Sequence, residues 1–403
     1  MSRPLPLSGV RVLDLGRVYL GPWAGTMLAH AGADVVKVEE PAGEPARRGG
    51  RGAMTVPVAM LNTGKRAITL DLRHARGREL LLALAERADV LIENFAPGAM
   101  DGLGLGPDVL LAANPRLVYG AATGFGIDGP ARDQLAMDLT VQAWTGVMSV
   151  TGFPDQPPVK AGPAFIDVLA GTDLYAAVVT KLYERERTGV GGVVDVAMAD
   201  AVLPALTSNL AGWRRAGEAG RTGNRHSGGA LSPYNVYRAA DGWLAVIVLT
   251  DEHWRRMAPV LGRPELADDE RFATHPARVA RLEEVDGIVE AWTSARGRDA
   301  ACDALRAAGV PAAPVRELAE VVADDHLRTR EALVPVHQPG LGDTPVPVPR
   351  SPLRFRGSDL PPLRPAPLLG ADDDEVYADW LGLGADELAA LRREGVVAGS
   401  GPG

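Results

Sequence analysis

The chain has 403 residues, 46 % hydrophobic and 23 % charged, with a formal net charge of −9 at pH 7. That length is enough for two domains and a large core, and the acidic balance, with no basic run to offset it, argues against a general nucleic-acid binder. The single cysteine, Cys302, excludes an intrachain disulfide. With no apolar run long enough to span a membrane and no signal-type N-terminus, a cytoplasmic protein away from membranes is expected.

Taken in chain order, residues 10–15 (VRVLDL) read as a buried strand. A glycine-broken loop comes next, then a small-residue helix from about Pro22 to His30 and a second strand over 33–39. This is a βαβ opening. Residues 41–64, rich in Gly, Arg and Pro, read as a long loop. Strands at 67–72, 89–95 and 116–125 alternate with helices at 74–88 and 107–113. Such alternation predicts a mostly parallel sheet with helices on both faces, a Rossmann-like α/β domain. Residues 191–197 (GGVVDVA) then read as a strand, 214–233 as a linker, and 242–250 as a strand opening a second, smaller α+β unit with helices at 252–262, 279–295 and 298–308. Residues 334–368 are proline-rich and extended, two short helices come after them, and 398–403 read as a tail. The expected domains are 1–213 (large), 214–233 (linker), 234–330 (small), 331–368 (return linker) and 369–397 (helices returning to the large domain).

The stretch 161–175, AGPAFIDVLAGTDLY, sets one carboxylate, Asp167, among small and apolar residues. Pro163 suits a first helical turn, and the pattern runs to about Arg187 before Thr188-Gly189. Val168, Thr172, Tyr175, Val179 and Leu182 form the expected apolar stripe. The helical neighbours of Asp167 are Pro163, Ala164, Ala170 and Gly171, so its carboxylate is expected in a hollow at the positive end of the helix dipole, which favours the ionised form. A structural helix-start acid or an arginine-paired carboxylate fits the same spacing. Gly16, Gly21 and Gly25 lack the dinucleotide-binding spacing, and no Walker loop, metalloprotease helix, paired C-x-x-C or nucleophile elbow is present.

Eight blocks in order resemble the class III CoA-transferases: the N-terminal LSGVRVLDLGRVYLGPWAG…KVEEPAGEPAR, NTGKRAITLDLR, DVLIENFAPGAMDGLGLG, NPRLVYGAATGFGIDGP, MDLTVQAWTGVMSVTGFPDQPP, GPAFIDVLAGTDLYAA, GGVVDVAMADAVL and APLLGADDDEV. The likeness spans about residues 6–397. It implies two chains interlocked as a homodimer and active sites between domains. It also implies CoA transfer from an acyl-CoA donor to a carboxylic-acid acceptor, with the CoA thioester as substrate and no tightly bound cofactor.

The family's catalytic aspartate falls on Asp167, and Gly228-Gly229 match its site-covering glycine loop. Matching CoA-binding positions are Leu70, Asp71, Leu72, Arg73, Asn94, Phe95 and Ala96, with Arg48, Lys65 and Arg66 as supplementary cations or solvated surface charges. Because CoA is an anion, a basic cleft on the acidic surface is expected. The chain departs from formyl-CoA transferase at four places. Glu40 and Gly102 replace arginines, Tyr19 replaces a glutamine, and Met137 replaces a tyrosine ahead of a retained acid, Asp138. Asp138 fits a role in orienting acceptor or intermediate, and equally a structural one. The racemase branch uses bases where this chain has Met137 and Thr250. An acyl-CoA racemase or isomerase, including intramolecular CoA transfer, and a non-catalytic acyl-CoA-binding protein are the alternatives.

Overall fold

The structure is a computed structural model describing residues 3–47, 53–358, 360 and 362–398. Six parallel strands form one sheet: β1 (Arg11–Asp14), β2 (Asp34–Glu39), β3 (Arg66–Thr69), β4 (Val90–Glu93), β5 (Val118–Thr123) and β6 (Gly192–Ala197). Their order is β3-β2-β1-β4-β5-β6. Val12 of β1 pairs with Val35 of β2 on one side and with Val90 of β4 on the other. The inner strands read as continuous Val, Leu and Ile runs because helices cover both faces, and their side chains are buried. The chain reverses direction of winding between β1 and β4, the place where open α/β sheets hold ligands beyond the carboxyl ends of their strands. The mixed α/β fold with a parallel sheet expected from the sequence is the one observed.

Two helices position the site. Leu20–His30 is buried almost along its length. Phe165–Thr188 buries Ile166, Ala170, Gly171, Leu174, Val178 and Leu182. This face is not the expected stripe, for Val168 is 41 % exposed. The reason is close approach between helices. A Cβ on Gly171 would lie 2.6 Å from the Leu20 carbonyl oxygen and 3.1 Å from Trp23 Cδ1. A large residue would push the helices apart, so the small residues mark the contact face. Trp23 Nε1 donates to Thr172 Oγ1 (3.1 Å) across the same contact.

The long loop expected at 41–64 contains a short helix, Val56–Leu61. Thr55 caps it by accepting from Val58 N, and Pro57 sits in its first turn. Near the C-terminus, helix Asp373–Leu381 lays Val376, Tyr377 and Trp380 into the core formed by the sheet. Tyr377 donates its hydroxyl to the Thr69 carbonyl (2.8 Å).

The chain forms two compact units. The first comprises residues 1–141, 163–202 and 322–403, and the second residues 142–162 and 203–321. The excursion of 142–162 into the second unit, and the crossing at 202–203, differ from the sequence-drawn boundaries. The second unit has an antiparallel sheet of β7 (Tyr234–Ala239), β8 (Gly242–Ile247) and β9 (Ala312–Pro314) over a core that includes Trp254, Phe272 and Cys302. Within the expected return linker, 331–368, whose residues 334–368 read as proline-rich and extended, lies a two-stranded hairpin, β10 (Leu333–Val336) with β11 (Val346–Pro349). Among the described residues, no helix is long and apolar enough to cross a membrane.

Candidate active site

A cleft of about 700 Å3 opens beyond the carboxyl ends of the parallel strands in the first unit. Its wall is built from the strand ends and the loops leaving them: Leu15 to Leu20 after β1, Glu39 and Glu40 at the end of β2, Leu70 to Arg73 after β3, Asn94 to Pro97 after β4, and Ala122 to Gly124 at the end of β5. Met198 lies just past β6, and Asp133–Met137 and Asp167 complete the wall.

The loop after β1 is held rigidly. Asp14 accepts from Gly16 N (2.8 Å), and Lys37 Nζ donates to Gly16 O (2.8 Å). Asn94 clamps Arg17 from both sides, accepting from its N–H (2.7 Å) and donating to its carbonyl (3.0 Å). Glu44 accepts from Val18 N (2.7 Å), and Val18 has φ +67°. That conformation is costly for a β-branched residue and persists only where its surroundings fix it. The fixing groups belong to a buried charge network. Lys65 pairs with Asp14 (2.7 Å), Lys37 with Glu44 (2.9 Å), and Arg47 with Glu39 (2.8 Å). Burial pulls Lys65 down to about 8, against the raising pull of Asp14. Burial likewise opposes the charge on Glu39, but Lys37 and Arg47 outweigh it and hold the carboxyl below its ordinary value.

Asp167 sits under different forces. It occupies the third position of the helix that Ala164 begins, and Ala164 supplies no side-chain cap. The cap comes from Asp138 instead. One oxygen, Oδ2, accepts from Ile166 N (2.9 Å) and Asp167 N (3.4 Å). This carboxylate satisfies two of the amides that a helix start leaves open. Burial, then the negative charge of Asp138, pushes the Asp167 carboxyl up to about 7. The helix dipole was expected to favour ionisation; desolvation and the neighbouring acid win.

Of the residues singled out from sequence, the cleft brings together Asp167, Tyr19, Leu70, Asp71, Leu72, Arg73, Asn94, Phe95, Ala96 and Met137. The Asn94 side chain is spent on Arg17, and Asp71 accepts from Arg73 N (2.9 Å). Lys65 and Arg66 do not line the cleft. Lys65 is buried and donates to Asp14, Pro22, Leu61 and Asn62. Arg66 pairs with Asp34 (2.5 Å) and Glu375 (3.1 Å). Arg48 lies outside the described residues. Gly228 and Gly229 lie in the second unit at φ +70° and +61°. The positive φ calls for glycine there; the Arg215 guanidinium, 2.9 Å from where a Gly228 Cβ would lie, ends a flexible side chain that could move aside. Thr250, also in the second unit, accepts from His253 N (3.1 Å) as a helix cap.

The expected basic cleft is not what forms. Among the described lining residues the cations are Arg17 and Arg73, against Glu39, Glu40, Asp71, Asp133 and Asp167. Glu40 approaches Arg73 at 3.7 Å. Arg17 was missed by sequence reasoning. Its guanidinium lies 4.5 Å over the Phe95 ring, which orients it at the rim. Its place directly after the first strand, beside the point where winding reverses, was the available signal. Among the described residues no cluster of three or more His, Cys, Asp or Glu could hold a metal.

Residues 7–373 match the family described as CoA-transferase family III. The chain is 37 % identical over 402 residues to a succinyl-CoA–D-citramalate CoA-transferase of Chloroflexus aurantiacus, covering 98 % of each. It is 37 % identical over 411 residues to a formyl-CoA:oxalate CoA-transferase of Streptomyces avermitilis, covering 97 % of this chain and 99 % of the relative. The crystal structure of a CAIB/BAIF family protein from Brucella suis superposes with a TM-score of 0.82 at 35 % identity, covering 94 % of this chain and all of that one. With a Rossmann-ordered sheet, a cleft at its carboxyl edge and whole-length relatives named as CoA-transferases, the chain belongs to CoA-transferase family III.

Proposed function

We propose that the chain moves CoA from an acyl-CoA thioester to a carboxylic acid by covalent catalysis on Asp167. The observation that carries this reading is a cleft-lining aspartate whose carboxyl is raised to about 7 beside a second acid. A carboxylate of raised basicity is a stronger nucleophile once ionised, and near neutral pH a large fraction is ionised. Asp167 attacks the donor carbonyl, the C–S bond breaks, and an acyl-aspartyl anhydride and CoA thiolate result. The thiolate attacks the Asp167 carbonyl carbon of that anhydride, releasing the donor acid and leaving an aspartyl-CoA thioester. The acceptor carboxylate attacks this thioester and expels the thiolate. The thiolate then attacks the acceptor carbonyl, giving the new CoA ester and free Asp167. Water must be kept from these intermediates, the role we assign to Gly228-Gly229 in an interlocked homodimer.

Arg17 and Arg73 would meet CoA phosphates, while Leu70–Leu72, Phe95 and Ala96 contact its apolar parts and Tyr19 and Met137 the acyl end. Asp138 is a positioning residue, holding the first turn that presents Asp167. The relatives' names make succinyl-CoA and formyl-CoA the donors to test. Tyr19 and Met137, where formyl-CoA transferase has glutamine and tyrosine, favour succinyl-CoA with a larger organic acid over formate and oxalate. The racemase alternative lacks its bases at Met137 and Thr250.

Incubation with succinyl-CoA and a panel of mono- and dicarboxylic acids, with separation of the CoA esters, tests this reading. An acid-dependent new CoA ester, lost in Asp167→Ala, is expected. Solvent deuterium entering the acyl α-carbon of succinyl-CoA, with no acid-dependent ester formed, would replace it with the racemase reading.

A further inference from the structure

A second cavity, of about 390 Å3, lies in the first unit. Its walls are Ser8, before β1; Gly32 and Ala33, before β2; and Gly64, before β3. It therefore sits at the amino ends of these strands, the edge of the sheet opposite the cleft. Three arginines, Arg3, Arg350 and Arg364, line it together with His30, and no acid is among its described lining residues. In a chain of net charge −9, that is a local reversal of sign.

The walls are fixed. Arg3 N donates to Gly357 O (3.2 Å), Arg350 N to Ala332 O (3.0 Å), and Gly64 N to Arg364 O (3.2 Å). His30 Nδ1 accepts from Ser351 N (3.1 Å), and Nε2 meets Thr63 Oγ1 (3.1 Å). Those bonds place the ring proton on Nε2 and leave the imidazole neutral. Burial, with the charges of Arg350 and Lys65, lowers His30 to about 4, in keeping with that form. Arg350 is nearly buried and has Glu331 at 3.6 Å. The carbonyl end of helix Leu20–His30, which would repel an anion, is answered by the Ala31, Gly32 and Ala33 amides.

We infer that this cavity binds a small oxyanion carrying at least two charges, held by Arg3, Arg350 and Arg364. Inorganic phosphate, a phosphate monoester and a dicarboxylate share that chemistry. Guanidinium groups suit it through paired N–H donors. The site is separate from the cleft and independent of the reaction proposed there.

Calorimetric titration of the full chain with inorganic phosphate, and separately with succinate, at low ionic strength tests the inference. A saturable binding component is expected that is weakened about ten-fold in Arg364→Ala and in Arg3→Ala and persists in Arg73→Ala, which removes only binding in the cleft. Arg364→Lys serves as the mild variant should Arg364→Ala not fold. Tighter phosphate identifies a phosphate ligand, and tighter succinate a dicarboxylate. No saturable binding of either ion, wild-type affinity in both the Arg3→Ala and Arg364→Ala variants, or loss in Arg73→Ala alone would overturn the site.

Discussion

Two groups of acids in the first unit show how one residue type serves opposite ends. Beneath the loop after β1, Asp14, Glu39 and Glu44 each face a cation, Lys65, Arg47 and Lys37. Glu39 is held below its ordinary value. At the start of helix Phe165–Thr188, Asp138 and Asp167 face one another, and Asp167 is raised to about 7. Burial alone does not decide between the two outcomes, since it opposes the charge in both. What decides is the sign of the nearest charge. The paired acids fix a strained loop, while the acid facing an acid keeps a raised affinity for its proton.

The largest effect expected from breaking this contrast is at Asp167, the proposed nucleophile. Asp167→Ala should lower turnover on the order of 10^4-fold or more by losing the nucleophile, with the dissociation constant for CoA little changed; steady-state kinetics and a direct binding titration check both. Among the paired acids, Lys65→Ala strands Asp14 in the core. It should destabilise the fold by about 3–5 kcal/mol, read by urea unfolding. Turnover would fall only as far as the fold does.

The next test sharpens the contrast through pH. Asp167 binds its proton more tightly when folded, since its value of about 7 exceeds the ordinary 3.8. Its contribution to stability is therefore present at low pH and lost as pH rises through about 7. Asp167→Asn should melt higher than wild type above pH 7, and the gap should close toward pH 4. Asp138→Asn keeps a capping oxygen but removes the repelling charge, so the acid limb of turnover should move to lower pH. An unmoved limb would show that Asp138 acts only as a cap. The smallest effects belong to the rim. Arg17→Ala should raise KM for the acyl-CoA about ten-fold, and Glu40→Gln, by freeing the exposed Arg73, should lower it a few-fold at most.

Much of this was legible in the sequence. The inner strands announce themselves as apolar runs because both faces of the sheet are covered there, and Asp167 stands out because its neighbours are small. One use of those small residues does not show in the spacing: Gly171 makes the close contact with the Leu20–His30 helix. The cap on Asp167 was invisible because its donor of charge, Asp138, is 28 residues away from Ile166. Lys65 reads as a surface lysine before a strand, and only the fold brings Asp14, 51 residues away, to its ammonium. Val56–Leu61 was hidden by its glycine-rich surroundings, although Thr55 and Pro57 carry a helix-start signature.

The most direct test of the central claim is intact-protein mass spectrometry after brief exposure to succinyl-CoA, with Asp167→Asn as control and hydroxylamine as trap. Wild-type protein should gain the mass of one CoA less one water, an adduct that hydroxylamine removes and converts to a hydroxamate on Asp167. The control should carry none. An adduct of equal yield on the variant, or one mapped to another side chain, would contradict it.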